Sequence, residues 1–312
     1  MEKRQLYLAV KEWLEDYKSI SVKALTYDRL LVSHKLMMKY PIAEMPVDEI
    51  TSRQIQSYLN SLVRDGYSMS TIKKQFNLLT GYWKFAMSQG DVEKPVYLAV
   101  KLPSENVIAS APREAEMTYT RDEQEAMRRI FRRLDKPQHA VALLMMETGM
   151  RIGEALALTW EDVLWNRRAI KVNATLIRLS SKPGVTYVQN VPKSKTSRRT
   201  IPLNSEAYDI IERLYKRRAS NSKYVFAQKD DPDLPYSYSS VEFHVRRVCQ
   251  DLDIPYHGLH AFRHTFATNC YERGCNVKIL SKLLGHADVS ITYNIYIHLY
   301  GDGLEEMRAV VG

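Results

Sequence analysis

The sequence predicts a mainly α-helical protein with one small antiparallel β-sheet or hairpin, arranged as two domains. Three observations carry that expectation. Apolar residues recur at helical spacing through most of the chain, and only residues 169–203 alternate or are β-branched in the manner of strands. A stretch without periodicity, about Glu93 to Glu116, is punctuated by Pro95, Pro103 and Pro112 and separates two periodic regions. The length of 312 residues suits two domains at roughly 150 residues each.

The first region reads as a four-helix bundle. Leu6, Val10, Trp13, Leu14 and Tyr17 share one face of a first helix. A second runs from about Ala24 to Tyr40 and is stopped by Pro41. Thr51 and Gln54 form a capping box ahead of Ile55, Leu59 and Leu62. Ser70 opens a long helix with Ile72, Phe76, Leu79, Trp83, Phe85 and Ala86 inward, ended by Gly90. Lys73, Lys74 and Lys84 fall off that stripe. The divisions expected are 1–105, a linker 106–116, and 117–312.

The second region opens on another capping box, Thr120 and Glu123, before Met127, Ile130, Phe131 and Leu134. Arg128, Arg129, Arg132 and Arg133 lie on its other side, as a solvated surface would. Strands are expected at Ala169 to Val172, Thr175 to Ser180 and Val185 to Gln189, with a turn at Pro183 and Gly184. A basic loop, Pro192 to Arg199, leads to a last strand at Thr200 to Leu203. Helices return after Asn204 and after Ser239, and the last sixty residues are helical with stops at Gly274 and Gly285.

Composition excludes several classes. Lys and Arg number 45 against 36 Asp and Glu, a net charge of +9, which makes a polyanion, and nucleic acid first, the partner to consider. No uninterrupted apolar run of about 18 residues exists, so no membrane span or membrane partner is expected. The N-terminus runs directly into a charged amphipathic pattern without a signal peptide, which implies a soluble intracellular protein. Cys249, Cys270 and Cys275 have no paired-motif spacing. No P-loop, dinucleotide fingerprint, nucleophile elbow or two-metal carboxylate cluster is present, and neither a metal nor another cofactor is expected.

Four local clusters remain. Arg151 sits between Gly149 and Gly153 at the start of a helix, with Glu154 at i, i+3; the pair reads either as a local ion pair or as an anion site with a supported arginine. His260 and Arg263, also i, i+3, share a helical face opposite Phe262 and Phe266, while His260 and His264 lack the glutamate of a zinc-protease helix. Leu284, Gly285 and His286 are followed by Tyr296 and His298, with Tyr293 and Tyr300 as competitors for any role of Tyr296. Lys193, Lys195, Arg198 and Arg199 occupy the basic loop, where they read as a solvated turn or a phosphate-contacting arm.

In this order the four clusters resemble the tyrosine recombinase (phage integrase) family, and the resemblance spans nearly the whole chain. It implies a helical core-type DNA-binding domain followed by an α+β catalytic domain. It also implies that Arg151, His260, Arg263, His286, Tyr296 and a hairpin lysine form the active site. Lys193 fits the family lysine by the shape of its loop, with Lys195 as the alternative. Tyr296, ten residues beyond His286, fits the nucleophile. The family mechanism would form a covalent 3′-phosphotyrosyl link without metal or ATP. Arg151 and Arg263 would clamp the phosphate, the lysine would protonate the leaving 5′-oxygen, the histidines would complete the pocket, and Glu154 would orient Arg151. DNA contacts are expected from Lys73, Lys74, Lys84, Lys195, Arg198 and Arg199.

The resemblance further implies double-stranded DNA with specific core sites and a homotetramer on that DNA. A DNA-bending or directionality accessory protein and a bacterial cytosolic or nucleoid location fit the same reading. Leu304, Met307, Val310 and Val311 form an amphipathic tail for docking in cis or onto a neighbour. The pattern begins almost at Met1, so the arm-binding module of many integrases is not expected in this chain. Integration or excision of a mobile element is the favoured activity. The competing readings are an Xer-like chromosome-dimer resolvase, a type IB-like topoisomerase and a non-catalytic DNA-binding relative.

Overall fold

The computed structural model describes residues 4–104, 117–181, 198–219, 221–286, 288–290 and 292, together with the backbone of 186–190. The chain divides into two compact units. One comprises Met1–Ala111 with Leu179–Val185, the other Pro112–Arg178 with Thr186–Gly312. The expected linker, the Pro183–Gly184 turn, Lys193, Lys195, Tyr293, Tyr296, His298 and the C-terminal tail lie outside the described residues.

The first unit is helical. Helix α1 (Leu6–Glu12) continues through a π-helical stretch, Trp13–Lys18, into a last turn, Ser19–Ser21. α2 is Ala24–Met37, α3 Ser52–Arg64 and α4 Met69–Gln89. Leu6, Val10, Trp13, Leu14, Ile55, Leu59, Leu62, Ile72, Leu79 and Trp83 all enter its core, as their spacing predicts. Tyr17 does not, being half exposed. The π-helical turns hold more residues than an α-helix, so the apolar face drifts and carries Tyr17 off it. The cap of α4 is Ser68 rather than Ser70, its hydroxyl accepting from the Thr71 N–H, and Leu78 is buried more deeply than Phe76. Buried Asp28 of α2 accepts hydrogen bonds from the Ser180 and Ser181 N–H groups at 2.9 and 2.8 Å. Those two serines therefore group with this unit, although the sequence places them in the second domain.

The second unit is built around a helix that carries no amphipathic signal. α5 (Arg121–Leu134) is followed by α6 (Pro137–Thr148), whose run Val141–Met146 is buried on every face. A helix apolar all round belongs at the centre of a fold, and α5, α8 (Ser205–Arg217), α9 (Tyr238–Asp251) and α10 (Ala261–Glu272) pack against it. The short α7 (Ile152–Leu156) follows α6 directly. Strands β1 (Val163–Leu164), β2 (Ala169–Val172) and β5 (Arg199–Pro202) form an antiparallel sheet in the order β1-β2-β5, with Val172 opposite Arg199. β3 (Ala174–Arg178) and β4 (Thr186–Asn190) form a separate antiparallel hairpin. α11 (Val277–Leu284) ends at Gly285 in the left-handed region, with φ +69°.

The arginines of α5 are not a uniformly solvated surface. Arg128 donates to the Glu147 carboxylate at 2.7 Å where both side chains are largely covered, and Arg132 pairs with Glu206. These bonds staple α5 to α6 and α8. Among the described residues no helix is long and apolar enough to cross a membrane.

Candidate active site

Four of the predicted site residues come together around the C-terminal end of α11. The last carbonyls of any helix lack intrahelical partners, and here arginines supply them. Arg199 Nε donates to Leu283 O at 2.6 Å, Arg263 Nη2 to Leu284 O at 2.7 Å, and Arg151 Nη1 reaches the same Leu284 O at 3.5 Å. The negative end of the helix dipole favours cations at this position. His286 follows immediately, its own N–H bonded to Ser281 O at 3.1 Å.

Arg151 is the N-cap residue of α7, in extended conformation after the left-handed Gly149. Its N–H donates to Glu154 Oε2 and its Nη1 to Glu154 Oε1, both at 2.9 Å. The side chain is still 37% exposed, so its outer N–H groups face solvent. Arg263 is placed differently. It is buried, and besides Leu284 O it donates to Gly149 O at 2.9 Å. The helical-face argument puts Arg263 on the polar side with His260; instead it runs inward and ties the α6–α7 turn to the end of α11.

His260 is the N-cap residue of α10, exposed at the surface of the site, with its ring 5.1 Å from that of His264. Desolvation by its surroundings, then the charges of His264, Arg263 and Arg151, push its imidazole down to about 4. His286 is pushed down to about 3 by burial and by Arg263, Arg151 and Arg199, and its Nδ1 lies 2.7 Å from the hydroxyl of fully buried Thr292. Both rings are therefore neutral near pH 7, each with one donor and one acceptor nitrogen.

Arg199 is drawn inward. Expected among the DNA-contacting cations, it has its side chain covered and only 6% exposed. It donates Nη1 to Glu154 Oε1 at 3.0 Å and Nη2 to Glu154 Oε2 at 2.6 Å. Burial opposes ionisation of Glu154, but the hydrogen bonds and charge of Arg199, then Arg151, outweigh it and hold the carboxyl at about 2. The signal was present in the alternation of β5, where Arg199 shares a face with core residue Ile201 and Thr200 points out. Thr292 and His264 carried no comparable signal. Arg198 is exposed, as are Lys73, Lys74 and Lys84 on α4 of the other unit, where the Lys84 ammonium sits 5.9 Å over the Tyr97 ring. Among the described residues no group of three His, Cys, Asp or Glu side chains could hold a metal ion.

Residues 118–302 match the family model described as the phage integrase family. A tyrosine recombinase XerC-like protein of Caldanaerobacter subterraneus subsp. tengcongensis is 29% identical, over 92% of this chain and 77% of its own. The transposase from transposon Tn916 of Enterococcus faecalis is 24% identical, over 88% of this chain and 69% of its own. In fold, the chain is similar to the Tn1549 transposon integrase in complex with transposon right end DNA, with a TM-score of 0.81 and 22% identity. That match covers 99% of this chain and all of the other.

Proposed function

The chain belongs to the phage integrase family and is a tyrosine recombinase; from that premise we propose how its residues cut and rejoin DNA during integration or excision of a mobile element. The observation that carries the proposal is the convergence of Arg151, Arg263 and His286 on one helix terminus, with His260 near enough to both arginines to feel their charge. Tyr296 attacks the scissile phosphorus, the P–O bond to the 5′-oxygen breaks, and a 3′-phosphotyrosyl link forms. Because that link keeps the energy of the broken bond, the reverse attack by a 5′-hydroxyl reseals the strand without ATP.

Arg151 holds the non-bridging oxygens through its outward N–H groups, and Arg263 adds its charge from beneath. Lys193, with Lys195 as the alternative, protonates the departing 5′-oxygen. The neutral rings of His260 and His286 fit hydrogen bonding to phosphate and passage of the tyrosine proton. Glu154 is a positioning residue for Arg151. Exposed Lys73, Lys74, Lys84 and Arg198 track the DNA backbone.

Double-stranded DNA bearing specific core sites is the substrate, and exchange between two duplexes needs four such sites, hence a homotetramer assembled on DNA. A DNA-bending or directionality protein would act on that assembly. The likeness to a Tn916 transposase and to an integrase on transposon-end DNA favours mobile-element recombination over chromosome-dimer resolution. The experiment is incubation with nicked suicide duplexes from a library of candidate sites. Wild type is expected to leave a covalent complex on a denaturing gel, mapping to Tyr296, while Tyr296→Phe binds DNA and leaves none. An adduct formed by Tyr296→Phe would overturn the nucleophile assignment.

A further inference from the structure

We propose that Arg199 is a positioning residue that sets the geometry of Arg151 and His286 together. This rests on the recombinase reading above.

Each of the two links is a contact. First, Arg199 and Arg151 share one carboxylate: Glu154 Oε1 accepts from both Nη1 atoms, and Oε2 accepts from Arg199 Nη2 and the Arg151 N–H. Arg199 thereby fills the inner side of the carboxylate, and Arg151 can engage Glu154 side-on while its outer edge stays open. A forked, three-point grip of this kind is within reach of a guanidinium and not of an ammonium.

Second, Arg199 Nε holds Leu283 O, two residues before Gly285. A Cβ placed on Gly285 would lie 2.9 Å from Arg199 Nη1 and 3.2 Å from Cδ and Cζ. The guanidinium thus passes directly across the turn that presents His286. The backbone of Arg199 is itself held at the start of β5, paired with Val172 of the central strand. Glu154 itself faces Arg151 and Arg199, with His260 and Tyr238 close enough to feel its charge.

A displacement of about 1 Å in a positioned group can cost about 100-fold in rate. Arg199→Lys, which keeps the charge but loses the fork, is therefore expected to slow single-turnover cleavage of a suicide duplex at saturating DNA by about 10- to 100-fold. Its DNA affinity and salt dependence should remain those of wild type. Arg199→Ala should lose more. In a double-mutant cycle on the cleavage rate, Arg199→Lys combined with Glu154→Gln should lose less than the product of the single losses, because both act through one carboxylate.

A DNA-contact role would give the opposite split, with weaker binding and an unchanged rate at saturation for Arg199→Lys and a shallower salt slope for Arg199→Ala, and would overturn the proposal. So would multiplicative losses in the cycle. If Arg199→Ala does not fold, Arg199→Lys and the cycle carry the test. Absence of any adduct with wild-type protein would instead overturn the recombinase reading, a separate outcome.

Discussion

Arg199 and Glu154 face each other as a buried bidentate pair, their side chains 6% and 4% exposed, in a position where the sequence alone places a solvent-facing DNA contact. Removing one partner of such a pair leaves the other charge buried without compensation, at a cost of about 3–5 kcal/mol. Glu154→Ala is therefore expected to lower unfolding stability by that amount, and Glu154→Gln, which keeps the shape and part of the hydrogen bonding, by less. Equilibrium denaturation in urea measures both. The pair's contribution is complete above the usual carboxylate value of 4.5 and is lost as pH falls toward about 2.

His139 is expected to make stability pH-dependent at higher values. It is buried against Phe131 and His244 with its Nδ1 unpartnered, and burial, then the charges of His244 and Lys136, push it from 6.5 down to about 4. Below 6.5 the unfolded chain takes up a proton that the folded ring refuses, so stability falls between about 6.5 and 4. The linkage is worth on the order of 3 kcal/mol. His139→Phe should flatten part of that slope in urea midpoints measured across the range, with half-buried His286 contributing to what remains. An unaltered slope would show that His139 titrates normally.

Gly149→Ala tests the turn beneath Arg263. The residue has φ +64°, and an added Cβ would meet Phe266 Cδ1 at 2.4 Å and Leu284 Cδ2 at 2.9 Å. Backbone strain and overpacking together are expected to cost roughly 2–5 kcal/mol. Because Gly149 O holds Arg263, cleavage at saturating DNA should fall as well, at a temperature where circular dichroism shows the variant folded.

Cleavage is expected to survive EDTA, because the proposed transesterification takes its nucleophile, charge clamp and leaving-group acid from side chains. Loss of adduct formation on chelation, restored by a divalent cation, would point to a metal-dependent nuclease instead.

The Lys73→Ala/Lys74→Ala double variant tests the helical unit. If both lysines neutralise phosphates, the slope of log affinity against log salt should become shallower by about 2, with the cleavage rate at saturation unchanged. An identical slope would remove α4 from the DNA-contacting surface.

Local pattern was sufficient wherever one residue type answers one local demand. Thr51 with Gln54 and Thr120 with Glu123 make the capping boxes expected of them, and the helical spacing of Ile55, Leu59 and Leu62 puts all three in the core. It failed for α6, because a helix buried on every side has no polar face to set a period. It failed at Tyr17, where a π-helical stretch shifts the face.

The sequence by itself determined the fold class and nominated the residues that could act on a phosphate, since those follow from residue type and spacing along the chain. Tertiary structure alone decided how the cations are divided. Arg151 keeps an exposed edge, Arg263 lies buried beneath it, and Arg199 is taken inward by a carboxylate 45 residues away in sequence. The reason is physical. A buried carboxylate and the bare carbonyls of a helix end recruit whichever guanidinium the fold brings within about 3 Å, and that proximity is set by packing between segments distant along the chain.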